Sequence, residues 1–412
     1  MYQPEAEFNK LEQLVKQTYL IADEGVIKFL CCCVVSHRLP ADPTWSFLVS
    51  PPSGGKTELL NCLTTVNGIY PLSSLTPHTF LSGQRKAGKE TSLLARLGNA
   101  ILTFKDFTSV LSMNPDARSE LYGQFREIYD GKMSKEFGTG ETKSWKGKIS
   151  FLAGVTTEIH LARELYSSMG ERFALYQIIQ PDRKEGTKVA MRNAREMKMA
   201  DIRLNLQDKF KYFLDEVIKI PEIVPTLDPD MEDYLQDLGD LSTKAGTRIV
   251  RDMRSNTKEI TFVHDPTMPF RFATQLITYG MSLMVLNNGP LKPMDEHILF
   301  KIALDSIDKN RRMVLQEMTK FTEVTTAGLA TALHRPTNTI RRIAEDLDAL
   351  EMLDRTKQGN KDVWVLKDEY KKTMSRFEGI PMLEARMTDE AEPLSMEDLQ
   401  QSFPGAEEVP LI

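Results

Sequence analysis

The sequence predicts an α/β fold, with a parallel sheet first, a mainly helical stretch next, and a small unit of three helices and a hairpin last. Three observations predict it. Short apolar runs at Phe47–Val49, Ala100–Phe104, Ile149–Val155 and Phe173–Ile179 alternate with helical patterns, the signature of a parallel sheet with crossover helices. After Pro181 the pattern turns helical, with a charged segment Arg192–Asp208 and an apolar one Phe272–Leu286. From residue 308 to 374, three helical patterns lead into two strand-like runs around Gln358-Gly359-Asn360.

Taken in order, residues 1–22 read as an N-terminal helix, with Leu11, Leu14, Val15, Tyr19 and Leu20 at helical spacing. Asp23-Glu24-Gly25 starts an apolar helix that ends near His37, and Pro40 and Pro43 break it. Within it, Cys31, Cys32 and Cys33 point to different sides of one helix, so neither a disulfide scaffold nor a zinc site is expected. Buried thiols in a reducing cytoplasm are expected instead. The longest apolar stretch, Phe29–Ser36, is too short to span a bilayer, and the N-terminus has no signal-peptide layout. No membrane association is expected.

At 412 residues and 41% hydrophobic content the chain can build two or three domains with real cores. Its net charge of −6 says little about partners. Eight acids and one base between Glu384 and Ile412 give that segment −7, leaving the rest at +1. The body is near neutral with basic clusters, so nucleic acid is not excluded. Residues 376–412 are read as a disordered acidic tail. Its tip, Glu407-Glu408-Val409-Pro410-Leu411-Ile412, is read as a solubilising end, with docking on a protein partner and competition with DNA as alternatives.

The segment Ser50-Pro51-Pro52-Ser53-Gly54-Gly55-Lys56-Thr57 follows the first apolar run and opens a helical pattern at Glu58-Leu59-Leu60. Strand, tight loop and helix with Gly-Lys-Thr at the turn form the context in which backbone N–H groups and a lysine cradle nucleotide phosphates. ATP contacts are assigned to Ser53, Gly54, Gly55, Lys56, Thr57 and Glu58, with Thr57 also a Mg²⁺ ligand. Ser50 stands where glycine is usual. Asp106, after the second run, is placed opposite the metal and the attacking water. Thr156, after the third, contacts the γ-phosphate or orients the water, and Arg172 stabilises transition-state charge, in a neighbouring subunit.

These residues resemble the AAA+ ATPases of the minichromosome maintenance type, particularly their shorter relatives in phages and mobile elements. Ser50–Leu60 resembles that family's phosphate loop, Ile101–Phe107 its acidic motif and Leu152–Thr156 its sensor strand. Glu171-Arg172-Phe173 is similar to its arginine-finger motif, and Met268–Leu276 to a lid helix that opens with a second sensor arginine, Arg271. The resemblance runs from about Asp23 to Arg311. It implies an AAA+ P-loop NTPase core at 23–182, a helical lid at 183–305 and a winged helix at 306–375. It also implies a hexameric ring that threads DNA as a replicative helicase or translocase of a phage or mobile element, in the cytoplasm. One departure stands out. The family has two consecutive acids after the second strand, and here the first place holds Lys105, which leaves Asp106 alone to serve metal and base. The alternative reading is an ATP-switched initiator or helicase loader with little turnover.

DNA contacts are expected in two places. Polar alternation on both sides of Gly138-Thr139-Gly140 marks a hairpin, where the resembled family carries one into its channel. Lys143 and Lys146 are assigned to phosphates there, and Trp145 to stacking on a base or on the hairpin backbone. The basic loop Gly83–Lys89 is a second channel loop or a solvated surface. In the winged helix, Thr337, Asn338, Thr339, Arg341 and Arg342 open the recognition helix, with Lys357 and Lys361 in the wing. That unit is read equally as a protein contact. His334 and the other histidines lack metal spacing.

Overall fold

The computed structural model describes residues 3–81, 85–86, 89–90, 92–137, 140, 142–161, 169–195, 199–252 and 258–376. The acidic tail and parts of the Gly83–Lys89 loop and of the Gly138-Thr139 turn lie outside the described residues.

Five strands form one parallel sheet. They are β1 (Trp45–Val49), β2 (Ile69–Leu72), β3 (Ala100–Phe104), β6 (Ile149–Val155) and β7 (Phe173–Gln177), in the order β2-β3-β6-β1-β7. Between β3 and β6 in sequence, β4 (Lys132–Glu136) and β5 (Thr142–Lys146) make a separate antiparallel hairpin. β1, β3 and β6 are buried along their whole length, which is why they read as continuous apolar runs. Strand β2 escaped the sequence reading because it is a partly exposed edge strand with Pro71 in it, a residue that only an edge tolerates.

Alternation along β1 supplies a core on each face. Trp45, Phe47 and Val49 enter an aromatic cluster with Phe107, Phe125, Phe151 and Phe173. Phe47 stacks on Phe173 at 4.2 Å, and Trp45 meets Phe125 edge-on at 5.6 Å. Helix α6 (Pro115–Tyr129), after the short α4 (Leu93–Leu97) and α5 (Thr108–Leu111), covers this face. Leu48 faces the other core, built on the N-terminal helices α1 (Pro4–Thr18) and α2 (Val26–Arg38). Helix α2 is buried from Val26 to Ser36. Its Lys28 pairs with Asp295 at 2.5 Å, which compensates the burial of that charge. All four cysteines are buried and unpaired.

The helical stretch comprises α7 (Arg183–Arg195), α8 (Met199–Lys211) with a π-helical turn at Tyr212–Val217, α9 (Pro229–Gly246), α10 (Phe270–Asn287) and α11 (Pro293–Asp305). A small hairpin, β8 (Ile249–Arg251) with β9 (Ile260–Val263), interrupts what the sequence presents as mostly helix. Helix α10 lies along α2, with Cys32 Sγ donating to Tyr279 O at 3.4 Å. The last unit holds α12 (Lys309–Met318), β10 (Val324–Thr325), α13 (Thr326–Ala332), α14 (Thr337–Ala349), β11 (Leu353–Gln358), β12 (Lys361–Leu366) and α15 (Asp368–Ser375). Trp364 fills its centre and donates from Nε1 to Thr326 Oγ1 at 2.8 Å. Its apolar side chains join the same cluster as α2 and α10, so no gap in packing separates it from the preceding helices. Among the described residues, no helix is long and apolar enough to cross a membrane.

Candidate active site

The phosphate loop leaves the carboxyl end of β1, where the chain reverses direction across the sheet: β6 and β7 flank β1, while its own successor β2 lies at the far edge. Open parallel sheets hold ligands at such switch points. Ser53 (φ 62°) and Gly55 (φ 84°) adopt left-handed backbone and turn the chain into α3 (Lys56–Asn61). A Cβ on Gly54 would stand 2.5 Å from Ser50 Oγ and 2.9 Å from Gln180 Oε1, so the loop requires glycine there. Ser50 has its own role in the loop. The buried Lys56 ammonium donates to Ser50 O at 2.8 Å, Ser50 Oγ at 2.9 Å and Pro51 O at 3.0 Å. Burial pulls the Lys56 pKa below its ordinary value, and the neighbouring Asp106 charge opposes that shift.

Asp106 and Thr156 follow β3 and β6; β6 lies beside β1, and β3 pairs with β6 on its other side. Asp106 is exposed and accepts from the Thr108 N–H at 3.0 Å. Thr108 Oγ1 donates to Thr156 Oγ1 and accepts from the Thr156 N–H, both at 3.3 Å. Gly154 admits the Lys56 stem: a Cβ there would stand 2.6 Å from Lys105 O and 3.3 Å from Lys56 Cβ. Lys56, Thr57, Asp106 and Thr156 thus share one end of the sheet. This donor set fits a triphosphate and one divalent cation, with an ammonium, a helix-opening hydroxyl and a single carboxylate. Among the described residues, no group of three or more His, Cys, Asp or Glu side chains stands together as a metal site.

Glu58 is engaged elsewhere. Arg203 of α8 holds its carboxylate in a bidentate pair at 2.8 and 2.7 Å, and Tyr19 donates to it at 3.0 Å. The first of these interactions holds the Glu58 pKa below the usual carboxylate range. Sequence reasoning missed Arg203, Gln180 and Thr108, because each meets the loop only through the fold.

Both arginines assigned to catalysis lie at the other end of the strands. Arg172 precedes Phe173, which pairs with Trp45 at the start of β1, whereas the loop follows Val49, paired with Gln177. Five residues of strand separate them by roughly 16 Å. Arg271 opens α10 beside Arg172, and its charge, after burial, lowers the Arg172 pKa. Gln275 of the same helix donates to Glu171 O at 3.0 Å and accepts from the Trp45 N–H at 3.4 Å. Arg271 therefore does not read a phosphate held by Lys56 of its own chain. Arg172 is buried against the Tyr129 ring (5.4 Å), donates to Met169 O at 2.8 Å and reaches Asp130 at 3.5 Å, while its Nε has no hydrogen-bond partner among the described residues.

The hairpin corrects a second expectation. Met133 pairs with Trp145 and Lys135 with Lys143 on the face turned to the core. The Trp145 indole is buried and donates to Gly98 O at 3.1 Å, so it is not displayed to a base. Lys143 shares that buried face, and its ammonium lies 6.0 Å from the Phe137 ring. The exposed face carries Lys132 and Lys146, directly opposite one another. On α14, Thr337, Asn338 and Thr339 are exposed, and Arg341 and Arg342 are partly buried. Farther along, Asp346 is held by Arg251 at 2.6 Å and Arg311 at 3.4 Å.

No protein-family model matches the chain, and no curated protein matches it. Among solved structures it is similar to the SCCmec type IV Cch active helicase, at 12% identity and a TM-score of 0.33, over 89% of this chain and 71% of that one. The likeness is too distant to carry a function.

Proposed function

We propose that the chain is an ATP-dependent DNA motor of the AAA+ ring type, in which each nucleotide lies between two copies. The observation that carries this reading is the separation of parts. Lys56, Thr57, Asp106 and Thr156 gather at one end of the sheet, and Arg172 and Arg271 at the other. For Arg172 or Arg271 to act on the triphosphate it must then come from a second copy, and a closed ring gives every copy a neighbour.

Within one site, the loop backbone and Lys56 bind the β- and γ-phosphates; Thr57 and Asp106 would hold a Mg²⁺, which would supply charge neutralisation there. Asp106 is also the acceptor that orients a water, and Thr156, fixed by Thr108, faces the γ-phosphate end. Arg172 and Arg271 of the adjoining copy stabilise the charge that develops on transfer. The buried Arg172 has to leave the weak Asp130 contact to do so.

DNA meets the exposed hairpin face. Lys132 and Lys146 oppose each other in register, a like-charge pair that costs stability unless an anion lies between them. The unit at 306–375 is a winged helix in this reading, with Thr337, Asn338 and Arg341 toward DNA.

A second reading keeps the site but makes it a switch, an initiator or loader with little turnover. Lys105 favours it, since only one carboxylate follows β3. Steady-state ATP hydrolysis with and without single-stranded DNA separates the two. A motor shows DNA-stimulated turnover that Lys56→Ala abolishes. A switch shows nucleotide-dependent DNA binding and no stimulated turnover, which overturns the first reading.

A further inference from the structure

Helix α7 stands apart from the rest of the fold. It spans thirteen residues, and none of them is buried. A helix of that length is marginal alone in water, and one that is polar all round contributes little by packing. Asp182 caps it, accepting from the Lys184 and Glu185 N–H groups at 2.9 and 3.1 Å. Asn193 ties its far end to Thr18 O at 2.9 Å. The half-exposed positions Glu185, Gly186, Val189 and Asn193 mark the side toward the body.

The opposite side carries Lys184, Lys188, Arg192 and Arg195, all exposed, within an arc of about 80° at 100° per residue. With Arg183, the helix has five cations against Glu185 alone, a net +4 in a body that sums to +1. Among the described residues, Lys188 pairs with Glu185 at 2.5 Å, and no ion pair engages Lys184, Arg192 or Arg195. From Lys184 to Arg195 the row is roughly 16 Å long.

We infer that this face of α7 binds the phosphate backbone of DNA, at a place apart from the β4–β5 hairpin and from the helix-hairpin unit. Its chemistry selects that partner. A protein interface needs a desolvated apolar or aromatic centre, and Met191 is the one apolar side chain in the row. A membrane-surface helix needs a broad apolar face, and here the reverse side is Gly186, Val189 and Asn193. A row of long cations without a pocket matches a regular lattice of phosphates and reads no sequence. The inference does not depend on what the phosphate loop does with ATP.

The test is a salt titration of the full-length chain against fluorescent single-stranded and duplex oligonucleotides of mixed sequence, without nucleotide. The variant replaces Lys184, Lys188, Arg192 and Arg195 together by Gln. Because no side chain of α7 is buried, its thermal unfolding should match that of the parent. The expected result is affinity down more than tenfold at about 0.1 M salt, with a plot of log K against log [salt] shallower by roughly 3 for single strands. Lys56→Ala should leave that slope unchanged, so a failed nucleotide site cannot mimic the result. An unchanged slope overturns the proposal. So does an unchanged slope with an altered subunit number by sedimentation, which would assign the row to an acidic face of a second copy.

Discussion

At the scale of single residues, the phosphate loop shows how a departure from a motif can be a coupled substitution. Ser50 occupies a place where glycine is usual, and its hydroxyl accepts from Lys56 while it stands 2.5 Å from where a Cβ on Gly54 would be. Gly54→Ala should therefore force the loop open and weaken ATP binding by tenfold or more. Adding Ser50→Gly should recover part of the loss, with a coupling of about 1 kcal/mol or more in a double-mutant cycle read by nucleotide titration. Additive losses would mean that Ser50 is not what Gly54 must avoid. The loop itself was legible in the sequence because its eight residues are consecutive and the flanking patterns are local. The contacts of Arg172 were not: Tyr129 and Asp130 lie more than forty positions upstream, and only the fold brings them to it.

At the scale of elements, the sequence marked the β4–β5 hairpin through its glycines and polar alternation, but not which face turns inward. Alternation has a period of two, so a choice of face moves every side chain at once. Here burial of Met133 and Trp145 decides it, and Lys132 and Lys146 become the exposed pair. Trp145→Ala should then cost roughly 3–5 kcal/mol of stability in denaturant unfolding, as loss of a buried tryptophan does. Lys146→Ala should change stability by less than about 0.5 kcal/mol and weaken DNA binding. The reverse pattern would restore the tryptophan as a DNA contact. The fully buried strands were legible as apolar runs, while β2 was hidden by Pro71 and the β8–β9 hairpin by its brevity.

At the scale of the whole molecule, the parallel sheet sets the direction of the chemistry. Every strand of the sheet runs from the end that holds Arg172 to the end that holds the loop, so within one copy Arg172 and Lys56 stand apart. The strand order explains why residues far apart in sequence, Thr57, Asp106 and Thr156, converge, and a linear reading anticipated that much. It did not anticipate that Arg271 of α10 would stand beside Arg172, because the course of α10 is set by its burial against α2. The same continuous core joins the last unit to the preceding helices, so the change of pattern near residue 306 is not a break in packing. The most direct measurement of the account mixes two inactive variants, Lys56→Ala and Arg172→Ala, and follows ATP hydrolysis with DNA present. Sites that pair an intact Lys56 with a neighbour's intact Arg172 should return a sizeable fraction of parental turnover, although each variant alone has none. Mixtures as inactive as the separate variants, in assemblies shown to exchange subunits, would contradict a nucleotide shared between copies.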